Sequence, residues 1–449
     1  MKRRSDIVID LGYGDAGKGT VVDYLAHQSD APLIVRFNGG PQAGHNVVTP
    51  DGRHHTFAQF GSGMFNPNAR TLLSRFMLIE PYAMFREADH LESIGVAYVF
   101  RRTMIDERCI VITPIQQAAN RLRERHRGAS AHGTCGLGFG ETVSDSIERK
   151  VDLLRAGDLQ QPEIVRSKLQ ELIAHKQKEL AELARSIPES PDHHVIYSPN
   201  WIDAAIHNYE LLAKSAEILP ADQSEIQLAA SSHLIFEGAQ GVLLDETFGF
   251  HPHTTWSTTT AANAHTLLND ARIVERPRVL GVIRCYATRH GAGPFVSEIK
   301  SLELPEPHNL DCGAQGRFRR GALDFVALKY AIACTTVDEL AVTHLDLITR
   351  IPTHACTDYE WNETSHDRSR FFEMNSDRVA HAIKAQRRSL DEQEKLTKHL
   401  FESRPVFGTQ FPNDPKEIVQ LIAAECGRPV SLISRGATRH DKVECNSIE

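Results

Sequence analysis

The chain has 449 residues, of which 41% are hydrophobic and 24% are charged, a composition typical of soluble globular proteins with a large core. The formal net charge of −8 and the lack of a basic stripe argue against nucleic acid as a partner, and no apolar run reaches the length of a membrane helix. The eight cysteines are scattered without a C-x-x-C pair, so we expect reduced thiols and a cytoplasmic location.

Two glycine-rich segments near the amino terminus each follow a short apolar run. Residues 7–9 (I-V-I) lead into residues 12–20 (G-Y-G-D-A-G-K-G-T), and residues 33–35 (L-I-V) lead into residues 39–45 (G-G-P-Q-A-G-H). Short apolar runs bounded by glycines indicate buried strands. Glycine backbone N–H groups can close on phosphate oxygens, and a following helix adds the positive end of its dipole. These segments therefore predict a phosphate site.

Three interpretations of the first glycine segment compete. Its glycines have the spacing of the dinucleotide fingerprint G-x-G-x-x-G, but the second strand ends at Asn38 without the acidic residue that this fingerprint needs. Residues 12–18 match most of a P-loop, although Gly19 stands in the hydroxyl position and Thr20 comes one place late. A tight turn without a ligand is the third interpretation. The carboxylate inside the loop argues against it, because that charge would repel phosphate unless a metal ion or a substrate proton compensated.

Further apolar runs at residues 234–236, 279–283 and 340–343 alternate with helical segments. This alternation predicts an α/β fold with a large, mostly parallel central sheet and helices on both faces. Ligands bind such sheets at the carboxyl ends of the strands, where the glycine segments fall. We expect a single domain over residues 1–449, with helical insertions near residues 158–186 and 377–402.

Several segments, taken in chain order, resemble motifs of the adenylosuccinate synthetase family. They are residues 14–19 (G-D-A-G-K-G against G-D-E-G-K-G), 39–45 (G-G-P-Q-A-G-H against G-G-H-N-A-G-H), 133–138 (G-T-C-G-L-G against G-T-T-G-R-G), 236–241 (F-E-G-A-Q-G), 286–295 (Y-A-T-R-H-G-A-G-P-F), the arginine-rich loop at 317–324, and the base-recognition segments at 345–346 and 434–436. The region near residues 355–405 aligns poorly. The resemblance implies a P-loop-like phosphate site in an adenylosuccinate synthetase-like fold.

The family joins IMP to L-aspartate with GTP and Mg²⁺, and the resemblance implies roles for three residues here. Asp15 would remove the N1 proton of the purine, so that the 6-oxygen can be phosphorylated. Its other oxygen would bind Mg²⁺ together with the Gly44 carbonyl. His45 would donate a hydrogen bond or a proton to the phosphoryl group in transit. The reaction would then end when the amino donor displaces phosphate.

The resemblance also implies two sets of binding residues. Those for the nucleoside triphosphate, GTP or ATP, are Gly14, Gly17, Lys18, Gly19, Thr20, Gly44, Arg319, Asp346, Ser434 and Gly436. Those for the other substrates are Gln42, Cys135, Arg149, Gln240, Thr255 and Arg317. Arg149 matches an arginine that reaches into the neighbouring subunit's site, which implies a homodimer.

The chain departs from the family's pattern around the amino donor and the base. Leu137 replaces an arginine, Cys135 a threonine, Gln42 an asparagine and His344 a lysine, and residues 313–317 (G-A-Q-G-R) lack the paired threonines of the aspartate loop. Because leucine cannot make the bidentate carboxylate contact of arginine, we expect a divergent paralogue. It remains open whether this paralogue accepts another purine monophosphate, another amino donor, or ATP in place of GTP.

Two other classes of function also stay open at this point. A P-loop-like nucleotide kinase would share the phosphoryl transfer but need no amino acid. A catalytically silent, regulatory nucleotide-binding paralogue would bind without turnover. Related phage synthetases act on dGMP. In that group the carboxylate at the position of Asp15 is usually replaced, so its retention here favours an IMP-like substrate.

Overall fold

The computed structural model describes residues 3–128, 134–306, 309, 316–412 and 414–445. The strands are β1 Arg4–Asp10, β2 Leu33–Arg36, β3 His45–Val48, β4 His54–Phe57, β5 Arg70–Leu73, β6 Leu78–Ile79, β7 Thr103–Asp106, β8 Ile110–Val111, β9 Glu217–Leu219, β10 His233–Glu237, β11 Arg278–Arg284, β12 Ala287–His290, β13 Phe318–Gly321, β14 Glu339–Thr343, β15 His354–Glu360, β16 Phe372–Ser376, β17 Val379–Ile383, β18 Arg404–Gln410, β19 Val430–Ser434 and β20 Lys442–Glu444. The helices are α1 Lys18–Ala26, α2 Pro81–Ser93, α3 Pro114–Arg127, α4 Phe139–Glu148, α5 Pro162–Glu179, α6 Ala181–Arg185, α7 Pro191–Tyr197, α8 Ile202–Ser215, α9 Ala221–Ala230, α10 Ala262–Asp270, α11 Phe325–Cys334, α12 Leu390–Glu402 and α13 Pro415–Cys426.

A ten-stranded sheet forms the centre of the fold, in the order β20-β19-β14-β11-β1-β10-β2-β5-β7-β9. Every neighbouring pair is parallel except β19 with β20. The five strands predicted from apolar runs are five consecutive strands of this sheet, from β14 to β2. The prediction of a large, mostly parallel sheet is therefore confirmed.

Helices cover both faces of this sheet, which explains why its central strands are apolar at consecutive positions. Val8 of β1 packs in a cluster with Val21 and Leu25 of α1. Its neighbours Ile7 and Ile9 belong to the larger core on the other face, which includes residues of α10 and α11. Successive residues of one strand thus contact helices on opposite faces.

The two predicted helical insertions have different outcomes. Residues 158–186 contain α5 and α6, as expected. Residues 377–402 are helical only in α12, and the prediction is wrong for β17, which belongs to the antiparallel sheet β16-β17-β15-β18. The charged residues of α12 dominate the composition of the segment, whereas β17 is an inner strand of that small sheet and buries Ala380 and Ile383. Organisation as a single domain stays a prediction.

A buried lysine joins the α5 insertion to α4. Lys176 is 1% exposed, and its ammonium lies 2.6 Å from both Glu141 and Asp145 of α4 and 2.8 Å from Glu179. Burial alone would lower the pKa of Lys176, but the charges of Glu141 and Asp145 outweigh burial and raise it. The network therefore fixes α4, the helix that follows the 133–138 motif, on the body of the protein.

Among the described residues, none of the helices combines the length and apolar character needed to cross a bilayer.

We predict that Lys176→Met destabilises the fold, because it removes the cation that the buried Glu141 and Asp145 share, and within the described part of the chain Arg123 pairs only with Glu141 and Glu179. Removing one partner of a buried ionic network costs about 3–5 kcal/mol, and thermal and urea unfolding would measure the loss. Lys178→Met is the matched control, since Lys178 is exposed on the same helix. Equal stability of the two variants would contradict this account of how α4 is held.

Candidate functional site

The glycine loop after β1 folds around the carboxylate that ends this strand. Asp10 Oδ1 accepts the backbone N–H groups of Gly12 at 2.8 Å and Gly14 at 3.3 Å. Its Oδ2 accepts the N–H of Ala16 at 2.9 Å and the ammonium of Lys18 at 3.1 Å. Gly17, in the left-handed conformation with φ 93°, leads into α1. The sequence motifs gave Asp10 no role, although its position at the strand end is visible in the sequence.

Asp15 lies in the loop with an uncommon backbone conformation, at φ 60°. Arg284, which ends β11, donates from Nε to the Asp15 carbonyl at 2.6 Å and so supports this conformation. The carboxylate is 28% exposed and lies 3.9 Å from Nε2 of His290. Burial around the carboxylate raises its pKa although Arg284 and His290 oppose that shift. A partly open carboxylate with a raised pKa is suited to accepting a proton.

His45 begins β3 and faces the carboxylate that ends β10. Its Nδ1 lies 2.6 Å from Oε1 of Glu237, and the side chains of both residues are buried. Glu237 also accepts the backbone N–H of Ser62 at 2.9 Å and the hydroxyl of Ser62. Burial opposes ionisation of Glu237, but the charge of Arg36 and the bond with His45 outweigh it and lower the pKa of Glu237 to about 2. The carboxylate is therefore charged and fixes the orientation of the imidazole.

The other ring nitrogen of His45 is buried and has no hydrogen-bond partner within the described part of the chain. Burial lowers the pKa of His45 to about 4, despite the attraction of Glu237. The ring is thus neutral near pH 7, with its Nδ1 proton donated to Glu237. Nε2 then carries an unsatisfied lone pair, which a ligand group could satisfy.

Close backbone packing brings the imidazole against the start of α1. A Cβ on Gly19 would lie 2.8 Å from Cβ of His45, so only glycine allows this approach. On the other side, a side chain on Gly241 would overlap the Gly12 carbonyl, while the Leu243 N–H bonds to that carbonyl at 3.1 Å. The structure therefore brings together the two glycine segments and the residues that follow β10.

Two glutamines assigned to substrate binding have unsatisfied buried atoms. Both side-chain polar atoms of Gln42, and Oε1 of Gln240, are buried and lack partners among the described residues. Gln240 adopts a left-handed backbone with φ 62°, and its Cα is 3.8 Å from the position of a Cβ on Gly14. Buried amides without partners are costly. These atoms are therefore ready for ligand contacts beside the glycine loop.

The segment assigned to the base lies over α1. Ser434 donates to the Gly436 carbonyl at 2.9 Å, and Thr20 donates to the Ala437 carbonyl at 3.0 Å. Asp346 is exposed on a short 3₁₀ turn, and His344, where the family has lysine, is half-buried with φ 62°. Thr20 thus has a structural bond that its motif position did not predict.

Some of the remaining assigned residues already make hydrogen bonds within the protein, whereas others are exposed. Arg319 bonds Glu298 through Nε at 3.0 Å, and its NH1 donates to the carbonyls of Gly291 and Gly293. Its guanidinium therefore already supports the 286–295 loop. Arg149 and Arg317 are exposed, Arg149 as the left-handed residue that ends α4. The structure leaves Cys135, Leu137 and Thr255 half-buried, and Gly133 and residues 313–315 lie outside the described residues.

The oxygen atoms at Asp15 and Gly44 suit Mg²⁺, which prefers hard carboxylate and carbonyl ligands. Asp15 offers a partly open carboxylate and Gly44 is exposed. A second candidate group, Asp145, His175 and Glu179, has its ligand atoms within 4.8 Å of one another. The Lys176 ammonium already contacts both carboxylates of that group, so the lysine serves as their cation.

A glycine loop, a carboxylate and a buried imidazole at one rim of a parallel sheet define an α/β nucleotide-binding enzyme. The family model of adenylosuccinate synthetase matches residues 7–443, and the chain therefore belongs to the adenylosuccinate synthetase family. It is a purine-nucleotide ligase that forms a C–N bond. The family uses Mg²⁺ and GTP.

Similar proteins span nearly the whole chain. The adenylosuccinate synthetase of Neisseria meningitidis is 29% identical and that of Desulfovibrio desulfuricans 30%, each over 97% of this chain and 97% and 99% of its own. The fully ligated adenylosuccinate synthetase of Plasmodium falciparum superposes with a TM-score of 0.77 at 20% identity, covering 98% of this chain and 99% of its own. The cyanophage S-2L succinoaminodeoxyadenylate synthetase, solved with dGMP and dATP, has a TM-score of 0.61 at 16% identity, covering 99% and 96%.

We predict that Glu237→Gln lowers kcat about a hundredfold because the imidazole of His45 loses the charge that orients it and stabilises its protonated form. Steady-state kinetics would measure the fall, and circular dichroism would check the fold. Glu87→Gln is the control, since Glu87 is a buried carboxylate that accepts the N–H groups of Ala58 and Gln59. It should reduce stability and keep kcat. A Glu237→Gln enzyme as fast as wild type would overturn the assigned role.

Proposed function

We propose that the protein phosphorylates the 6-oxo group of an IMP-like purine monophosphate with GTP and then replaces that group with the amino group of L-aspartate. The product is adenylosuccinate or a close analogue. The proposal rests on one observation: the glycine loop holds a partly open carboxylate, Asp15, and the carboxylate-oriented imidazole of His45 packs against Gly19, which follows this loop. A kinase needs only a phosphate site, and a silent binding protein needs neither group.

In the first step, Asp15 accepts the proton of purine N1. The electron pair moves onto the 6-oxygen, which attacks the γ-phosphorus as the bond to the β-phosphate oxygen breaks and GDP leaves. Lys18 and the first N–H groups of α1, at the positive end of the helix dipole, would offset the charge that spreads over the phosphate oxygens. Mg²⁺, held by the Asp15 carboxylate and the Gly44 carbonyl, would neutralise further phosphate charge.

His45 acts on the phosphoryl group from the other side. In the unliganded protein its Nε2 is a neutral acceptor. An arriving phosphate anion, together with charged Glu237, favours a second proton on the ring, which turns Nε2 into a donor to a phosphoryl oxygen. The imidazolium would then stabilise the transferring group by a charge-assisted hydrogen bond.

In the second step, the amino group of the donor attacks C6 and the bond between C6 and the oxygen breaks. Phosphate leaves with the former purine oxygen and takes up the proton that the amino nucleophile loses. The family resemblance assigns Arg317 to a carboxylate of the donor, and Leu137 offers no second guanidinium. L-aspartate is therefore bound with one such partner fewer than in the family's pattern.

A product assay tests this function directly. The protein would be incubated with Mg²⁺, GTP or ATP, a set of purine monophosphates and the common amino acids, and mass spectrometry would identify the joined product. Formation of adenylosuccinate from IMP, L-aspartate and GTP supports the proposal. Release of GDP or ADP without an amino acid would instead indicate a kinase, and binding without any turnover would indicate a silent paralogue.

We predict that Asp15→Asn lowers kcat by about a hundredfold or more, because an amide cannot accept the N1 proton. Nucleotide binding measured by calorimetry and the melting temperature should stay close to wild type, which separates loss of the base from loss of the fold. Full activity of this variant would mean that another group accepts the proton.

We predict that Arg149 completes the site of a partner subunit. Arg149→Leu alone should be inactive, and Asp15→Asn alone should be inactive. A mixture of the two, after subunit exchange, should recover part of the activity, because one hybrid site holds both native residues. Failure of a mixture to recover any activity, when gel filtration detects hybrid dimers, would contradict the shared site.

A further inference from the structure

Asp10 makes a set of contacts that exceeds what a local turn needs. A strand-end aspartate commonly accepts the N–H two residues ahead, which accounts for its bond to Gly12 at 2.8 Å. This local turn does not account for the contact with Lys18, which lies on α1 and donates to Oδ2 at 3.1 Å. It also does not account for the bond to Ala16. Asp10 thus links the whole loop to the first residue of the helix.

Lys18 is held in one place by this contact. Its side chain is 3% exposed and that of Asp10 is fully buried. A buried ammonium is stable only beside a counter-ion, because desolvation otherwise favours its neutral form. The pairing therefore removes the rotamer freedom that a lysine would otherwise lose when a phosphate binds.

We propose that Asp10 is a positioning residue of the triphosphate site that acts through Lys18. It folds the glycine loop and presents the lysine ammonium in a fixed place before the nucleotide arrives. The proposal rests on the proposed function, since it takes the loop and Lys18 as the groups that meet the triphosphate. The carboxylate also weakens the attraction of Lys18 for phosphate, so Asp10 contributes to orientation in the transition state rather than to tight binding of GTP.

The test is the isosteric variant Asp10→Asn. The amide keeps one oxygen for the N–H groups of Gly12 and Gly14 and loses the charge that holds Lys18. We expect kcat to fall about tenfold to a hundredfold, with KM for GTP unchanged or lower. A rise in KM with unchanged kcat would overturn the proposal, because it would make Asp10 a residue that only supports binding.

Asp6→Asn is the matched control. Asp6 belongs to the same strand, is equally buried, and pairs with Arg278 at 2.6 Å and His233 at 3.0 Å away from the loop. This variant should melt at a lower temperature and keep the kcat and KM of wild type. If Asp10→Asn behaves in the same way as Asp6→Asn, Asp10 has a structural role only and the proposal is wrong.

A double-mutant cycle tests whether Asp10 acts through Lys18. In a Lys18→Met background, Asp10→Asn should lower kcat no further, whereas independent roles would give additive losses and contradict the proposal. The same cycle on GTP dissociation constants, measured by calorimetry, needs no turnover. In the background that keeps Lys18, we expect Asp10→Asn to leave the GTP dissociation constant unchanged or to lower it. A higher dissociation constant in that background would overturn the proposal. If wild type binds GTP but joins no substrates, the proposed function fails while this cycle still decides the role of Asp10.

Discussion

Parallel pairing of four adjacent strands is the constraint on which the site depends. β11, β1, β10 and β2 run side by side in the central sheet. Their carboxyl ends therefore deliver four ionisable residues to one rim, namely Arg284, Asp10, Glu237 and Arg36. The register places Glu237 directly beside Arg36. Groups that are far apart in the chain thus meet on a rigid scaffold, to which the glycine loop adds Asp15 and the start of β3 adds His45.

The rim holds charge that a purely structural core would avoid. Asp10 is buried with Lys18 and Arg284 with Glu306, while the charged Glu237 lies beside Arg36 and the neutral ring of His45. Burying ion pairs gives little net stability compared with apolar side chains, because desolvation offsets most of the attraction. Their concentration where the strands end is explained by phosphate chemistry, which needs fixed charges in a dry setting. The extensive apolar packing on both faces of the sheet supplies the stability that these pairs do not.

More of the fold than of the candidate site could be predicted from the sequence. Unbroken apolar runs such as residues 279–283 identified the central strands, since a strand buried on both faces has no polar alternation. The same approach failed at β17, because composition averaged over residues 377–402 hid a short strand beside a helix. The motifs assigned roles to Asp15 and His45, which stay predictions, and gave none to Asp10 or to Arg284, whose bond to Asp15 forms only when distant segments pack. Thr20 and Arg319 illustrate the converse, because their bonds to Ala437 and Glu298 depend on tertiary structure.

The central claim is that the purine 6-oxygen becomes a phosphate oxygen before the amino group arrives. It is tested most directly with a purine monophosphate that carries ¹⁸O at position 6, incubated with the protein, GTP, Mg²⁺ and the amino donor. Mass spectrometry of the released phosphate should find one ¹⁸O atom for each molecule of product formed. Unlabelled phosphate, with the label in water or retained in the nucleotide, would contradict the account.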